Sequence, residues 1–215
     1  MTPGRASEAD PLAEIAQGVA ALRLSLRPGM VERLSAFLDL LAKWNRVYNL
    51  SAVRDHSSMV RVHLLDSLAV AAHVPQTPGA DIGSGAGFPG IPLAIVEPAR
   101  AITLVESRQK RSAFLRQAAS ELGLHNVTVV GERAERWHPS APLGWAISRA
   151  FASLADFVQA AWHLVTPGGL LLAMKGVYPD DEIAELPGYC PVREVLPIAV
   201  PGLDATRHLV ILERT

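Results

Sequence analysis

Cysteine is almost missing. Cys190 stands alone among 215 residues, which excludes an internal disulfide and a metal cluster held by thiolates. With no base partner apparent beside it, it reads as a buried, inert thiol rather than a nucleophile. Long apolar runs are lacking too, since none reaches the ~18 residues a bilayer span needs, so no membrane association is expected. Net charge is close to absent at −1. No overall field draws the chain toward a polyanion, and any nucleic-acid contact has to come from a local patch. The opening MTPGRASEADPLAE has no apolar core and carries acids early, unlike a secretory signal; the expected location is cytoplasmic. There is no Walker lysine and no paired histidine or carboxylate spacing suited to a metal, so no metal is expected. Internal repeats and low-complexity segments are missing as well.

What is present is a globular composition, 49% hydrophobic and 19% charged, on a length that favours one domain with room for a small appendage. Two regions differ. From Pro11 to about Val74 the apolar spacing is helical: Leu12, Ile15, Val19 and Leu22, then Leu34, Phe37, Leu41 and Trp44, then Val60, Leu64, Ser67, Leu68 and Ala71. Three helices are predicted there, separated by RPG at 27–29 and by the stretch 48–58. Beyond them, short β-branched runs alternate with helical patterns, the mark of βαβ units and a mainly parallel sheet. Strands are predicted at 80–82, 102–105, 127–130, 145–147, 170–174, 192–198 and 208–212, with helices near 90–96, 108–122, 154–164 and 181–186. The last two strands are joined by AVPGLDATR, too short for a helical crossover, and should pair antiparallel. The expected organisation is an N-terminal helical cap over 1–76 and an α/β, Rossmann-like domain over 77–215.

The stretch DIGSGAGFPGIPLAI, 81–95, follows the first predicted strand and opens a helix. Glycines there allow backbone conformations closed to other residues and clear the way for a ligand. GAGFPG also satisfies the dinucleotide pattern G-x-G-x-x-G, so the loop alone leaves a nicotinamide cofactor and S-adenosylmethionine both open. Glu106, ending the next strand, suits ribose hydroxyls in either ligand. Asp81, just before the glycines, would repel a pyrophosphate but tolerate a sulfonium cation. With the antiparallel final pair, it favours the methyl donor.

Six blocks carry a resemblance: KWNRVYNLSAVRD (43–55), HLLDSLAV (63–70), the glycine loop, ISRAFASL (147–154), PGGLLLAMKG (167–176) and RHLVIL (207–212). Through them the sequence resembles the class I S-adenosylmethionine-dependent methyltransferases, and more narrowly the RsmG family, also called glucose-inhibited division protein B, which methylates guanine N7 in bacterial 16S ribosomal RNA. The resemblance implies a seven-stranded, mostly parallel sheet with the last strand antiparallel. S-adenosylmethionine is the implied methyl donor, 16S rRNA or a small-subunit particle the partner, and a monomer the working unit. It further implies that Gly83, Gly85 and Phe88 shape the loop around the methionine end, Glu106 holds the ribose, and Ala134 and Glu135 flank the adenine. Val62 departs from the family pattern, which has a basic residue just before the histidine of HLLDS; here Arg61 lies one step earlier, about 100° away on a helix.

Arg149 follows the fourth predicted strand, where such enzymes place the residue nearest the reacting centre. Its guanidinium suits the methionine carboxylate, guanine O6 or a phosphate. Guanine N7 has a free lone pair and no proton, so alignment and water exclusion suffice and no general acid or base is assigned. Lys175 and His63 join Arg149 as candidate RNA contacts. The basic run over 100–116, with Arg46, Arg54 and Arg61, offers further candidates for phosphate. His63, Asp66 and Ser67 share one helical stretch without an elbow or oxyanion site, which excludes a hydrolase triad; an i,i+3 bond from His63 to Asp66 is expected instead. Two other readings stay open: an NAD(P)-dependent oxidoreductase, and a non-catalytic assembly factor that binds the donor and RNA.

Overall fold

The β-branched runs pair into one sheet in the computed structural model, which describes residues 10–149 and 151–215. Residues 1–9, most of the segment read for a signal, and Ala150 of the ISRAFASL block fall outside it. The strands are β1 (Gly79–Ile82), β2 (Ile102–Val105), β3 (Val127–Val130), β4 (Leu143–Ser148), β5 (Val165–Lys175), β6 (Val192–Pro197) and β7 (His208–Glu213). Their order is β3-β2-β1-β4-β5-β7-β6. Pairs from β3 across to β5 are parallel, whereas β7 runs antiparallel to both β5 and β6. Strand order reverses between β1 and β4, and that reversal opens a crevice beyond their carboxyl ends.

Strand boundaries agree with expectation except at β5, predicted from Leu170 and beginning at Val165. Pro167, Gly168 and Gly169, which fall outside the predicted strand, form a bulge: the β4 register jumps from Leu143 opposite Val165 to Trp145 opposite Leu170. Gly168 has φ 76°, and its N–H donates to Arg214 O at 2.6 Å. The ladder therefore continues past residues that ordinarily end one.

Three helical segments precede the sheet. Helix α1 (Pro11–Ala21) starts at Asp10, whose carboxylate accepts from Leu12 N–H, with proline in the first turn. Helix α2 (Met30–Tyr48) ends at Asn49 in the left-handed conformation. The third segment differs from the continuous helix its apolar spacing predicts. A short α3 (His56–Met59) passes into a π-helical turn over Val60–Leu65 and then α4 (Asp66–Leu68). Asp66 N–H bonds Arg61 O, five residues back. The wider turn displaces every face that a 3.6-residue period would assign, and such turns concentrate at functional sites.

Four helices flank the strands: α5 (Gly90–Val96), α6 (Gln109–Glu121), α7 (Leu154–Ala161) and the short α8 (Asp180–Ala184). Neighbouring strand residues face opposite ways, and the packing sorts them into two cores. Leu104, Trp145, Ile147, Leu172 and Leu209 pack with α5, α6 and the N-terminal helices. Ala80, Ile82, Val105, Ala146 and Val210 pack with α7. Phe37 of α2, fully buried, has its ring 5.1 Å from that of Phe88 and 6.4 Å from that of Phe114. The N-terminal helices are thereby tied directly to the loop after β1.

Candidate active site

The chain turns sharply after β1. Gly83, Gly85 and Gly87 have φ of 69°, 58° and 92°, the left-handed region that a Cβ disfavours. The turn aims backbone N–H groups at buried carboxylates. Gly85 N–H donates to Glu106 Oε2 at 3.0 Å and Arg108 N–H to Oε1 at 2.8 Å, so the carboxylate at the end of β2 is fixed with acceptor capacity left over. Glu106→Gln sets an amide N–H₂ against one of those donors. Expected is a ten- to hundredfold loss of donor affinity in calorimetry with little change in melting temperature; unchanged affinity would remove Glu106 from the binding surface.

Asp81 has a role that the sequence did not suggest. Its fully buried carboxylate accepts Gly90 N–H at 3.0 Å, at the start of α5. Burial pushes its pKa up to about 7, against the pull of the Gly90 and Ser84 hydrogen bonds. The unfolded chain releases this proton near pH ~4, so stability declines as pH rises from there toward 7. Asp81→Asn abolishes that decline. Urea unfolding at about pH 4.5 and 7.5 should show the variant gaining on the wild type by a few kcal/mol at the higher pH, and an equal difference at both would contradict a proton-holding Asp81.

Across the crevice, Phe88 is a floor. It is nearly buried, and both the Arg149 guanidinium and the His63 ring lie over it, 5.1 Å and 4.9 Å from its centroid. Arg149 Nη1 lies 3.4 Å from His63 Nδ1 and 3.4 Å from Asp66 Oδ2. Since a guanidinium only donates, His63 Nδ1 is the acceptor and Nε2 carries the proton, given to Ser51 Oγ at 2.7 Å. Burial, aided by the Arg149 charge, pushes the His63 pKa down to about 4, so the ring is neutral at physiological pH. The expected His63–Asp66 bond does not form: the π turn separates them, and Asp66 instead binds Arg149 and Arg207, the latter at 2.8 Å through Nε.

Three adjoining cavities follow this line. The first, about 110 Å³, is walled by Glu106, Ala134, Glu135 and Phe151. Gly83 is shared with the second, about 250 Å³, which adds Ser51, Gly85, Phe88 and Arg111. His63 and Arg149 are shared between the second and the third, about 320 Å³, lined also by Val62, Asp66, Met174, Lys175 and Arg207. All seven residues expected at the donor line the first two cavities, and Arg149, His63 and Lys175 meet at the third.

The description GidB, rRNA small subunit methyltransferase G, belongs to the family model that matches residues 30–210. The chain belongs to the GidB family. Relatives named ribosomal RNA small subunit methyltransferase G are 55% identical in Aromatoleum aromaticum, over 94% of this chain and 98% of that one, and 49% identical in Nitrosospira multiformis, over 95% and 98%. Among solved structures, TrmN from Thermus thermophilus is similar with TM-score 0.57 and 21% identity, over 80% of this chain and 53% of that one. The glycopeptide N-methyltransferase MtfA is similar with TM-score 0.58 and 14% identity, over 72% and 96%. These two likenesses establish the class I methyltransferase fold.

The basic residues of this GidB chain divide in the structure. Lys175 is paired with Glu182, Nζ lying 2.7 and 3.0 Å from its carboxylate oxygens, and Glu182 also caps Leu154 N–H. Arg61 pairs with Glu14 at 2.7 Å and faces α1, leaving Val62 at the third cavity. Within the run 100–116, Arg100 is buried, Arg111 approaches Glu106 at 3.9 Å, and Lys110 lies over the Tyr48 ring. The segment is not one uniform basic face. Cys190 is buried, which pushes its thiol up to about 11. Among the described residues no three His, Cys, Asp or Glu side chains converge as a metal site would need, and no helix is long and apolar enough to cross a membrane.

Three residues matter that the sequence did not single out, Asn45, Ser51 and Arg207. Asn45, buried in α2, holds Ser51 through N–H and C=O at 2.9 Å each, and Ser51 in turn positions His63. An asparagine on the apolar face of a helix is a legible sign of such a staple. Asp66 and Arg207 are 141 residues apart, and no local pattern announces their pairing.

Proposed function

We propose that the chain transfers a methyl group from S-adenosylmethionine to N7 of a guanine in the decoding-region loop of 16S ribosomal RNA. The cavity series carries this reading: a fixed carboxylate at the end of β2, a side-chain-free bend, and an arginine at the end of β4 lie in the order that adenosine, methionine and acceptor require. Glu106 offers its open lone pairs to ribose hydroxyls, Ala134 and Glu135 border the adenine, and Gly83, Gly85, Phe88 and Arg149 receive the methionine end. Bound there, the donor supplies an electrophilic methyl group. At its reactive end His63 is neutral, with Nδ1 accepting from Arg149 and the Nε2 proton given to Ser51, and Asp66 is held by two arginines. N7 needs no base, so the protein's work is to align the partners and exclude water.

Residues 1–76 act in this reading as a cap that seats the loop through Phe37 and closes the crevice through Ser51 and His63. With a net charge of −1, the protein recognises folded rRNA or a small-subunit particle by shape together with local charge. It works as a cytoplasmic monomer. A thermal melt separates this from nicotinamide chemistry: S-adenosylmethionine at a hundred times its dissociation constant should stabilise the fold by about 2.7 kcal/mol, with no shift from NAD(P). Protection by NAD(P) alone would reverse the assignment.

A further inference from the structure

The third cavity contains a carboxylate that donor binding does not require. Asp66 is 4% exposed, yet it lines the cavity. Arg207, just before β7, holds one carboxylate oxygen and Arg149, just after β4, the other. An ionised carboxylate accepts about four hydrogen bonds; two are filled, one on each oxygen. Two arginines at the ends of separate strands thus hold it at the wall of a space of about 320 Å³, with Val62 and Met174 as apolar neighbours. That volume is at the lower end for small-molecule sites.

We propose that this cavity receives the target guanine extruded from its RNA and that Asp66 reads the Watson–Crick edge, accepting from N1–H and the N2 amino group; the inference rests on the methyltransferase reading above. Guanine is the one standard base with two adjacent donors on that edge. Adenine turns a lone pair at N1 toward the carboxylate and is repelled. In the transfer, the N7 lone pair forms the bond to the methyl carbon as the carbon–sulfur bond breaks, its electron pair staying on sulfur. The sulfonium becomes a neutral thioether and the purine takes up the positive charge, with no proton moved. A cationic purine is a stronger donor at N1–H, so its bond to Asp66 tightens as the reaction proceeds. An interaction stronger in the transition state than before it speeds the chemical step.

The test compares rRNA substrates carrying guanosine or inosine at the target, since inosine lacks only the 2-amino group. The wild type should transfer to inosine ten- to a hundredfold less well in kcat/KM, the effect of one lost charge-assisted hydrogen bond. Asp66→Asn should lose a similar factor on guanosine while its guanosine-to-inosine ratio falls below about three, the coupling of a direct contact. Equal wild-type rates on the two substrates, or an undiminished ratio in the variant, would overturn the assignment while leaving the methyltransferase reading intact. Absence of transfer even to guanosine would strike that broader reading instead. Should the variant fail to bind donor, a crystal complex of the wild type with S-adenosylhomocysteine and guanosine monophosphate decides: N1 and N2 within hydrogen-bond reach of Asp66 support it, and a base seated elsewhere overturns it.

Discussion

Arg149→Ala is expected to lower kcat/KM for methyl transfer by a hundredfold or more. The guanidinium sits where the second and third cavities meet, over the Phe88 ring and against His63 Nδ1 and Asp66 Oδ2. Removing it would delete the charge-assisted contact to the donor that the proposal gives Arg149, worth about 1.5–3 kcal/mol, and loosen the partition between the two cavities. Buried arginines often carry stability too, and cutting one partner from a buried pair is costly. Here Asp66 keeps Arg207 at 2.8 Å, so the melt should fall only modestly, by about 1–2 kcal/mol. Steady-state kinetics beside a thermal melt tests both halves. Retained activity would take Arg149 out of the site, and a collapsed fold would make its role structural.

Gly90→Ala is the larger perturbation of the fold. A Cβ at this first residue of α5 would overlap Leu104 and approach Asp81 Oδ2 to 2.7 Å, the same oxygen that accepts Gly90 N–H. Overpacking and a displaced buried hydrogen bond together should cost about 2–5 kcal/mol, and donor binding should weaken because the glycine turn rests on this helix start. Gly123→Ala is the control. Gly123 has φ +62°, with nothing within 4 Å of its added Cβ, so it should lose only the 1–2 kcal/mol of left-handed strain and keep full donor affinity. Denaturant unfolding with calorimetry on both variants checks the contrast. Equal losses would mean that the neighbours of Gly90 make room for the Cβ at little cost.

The contrast also shows which features a sequence makes legible. Periodicity and turn residues located the seven strands and α5 to α7 because those signals are local: alternation at Leu104 and Val105, a helical stripe through Phe114, Leu115 and Ala118, glycine where φ turns positive. The PGG bulge in β5 was hidden, since the same residues that break a strand also shape a bulge. The π turn at Val60–Leu65 was hidden for a related reason. Its apolar residues still fall inward, so the pattern cannot register the extra residue that sends His63 to Ser51 and Asp66 to the arginines. The residues expected at the donor stand at or just beyond strand ends, a local signal that brings Gly83, Gly85, Phe88 and Arg149 from the quoted blocks, and Glu106, Ala134 and Glu135 from outside them, to the first two cavities. Asp66–Arg207 depends on packing of segments that only the folded chain brings together, and no local pattern announces that Asp81 accepts Gly90 N–H nine residues on.

The central claim is that the crevice at the β1–β4 reversal hands a methyl group to an unprotonated purine nitrogen. Small ribosomal subunits from a bacterial strain lacking the corresponding gene, incubated with the protein and methyl-labelled S-adenosylmethionine, then digested and mapped, test it directly. The label should appear on N7 of a single guanine in the decoding-region loop, and only when the protein is present. Label on another atom or another RNA, or none despite saturating donor binding, would contradict it.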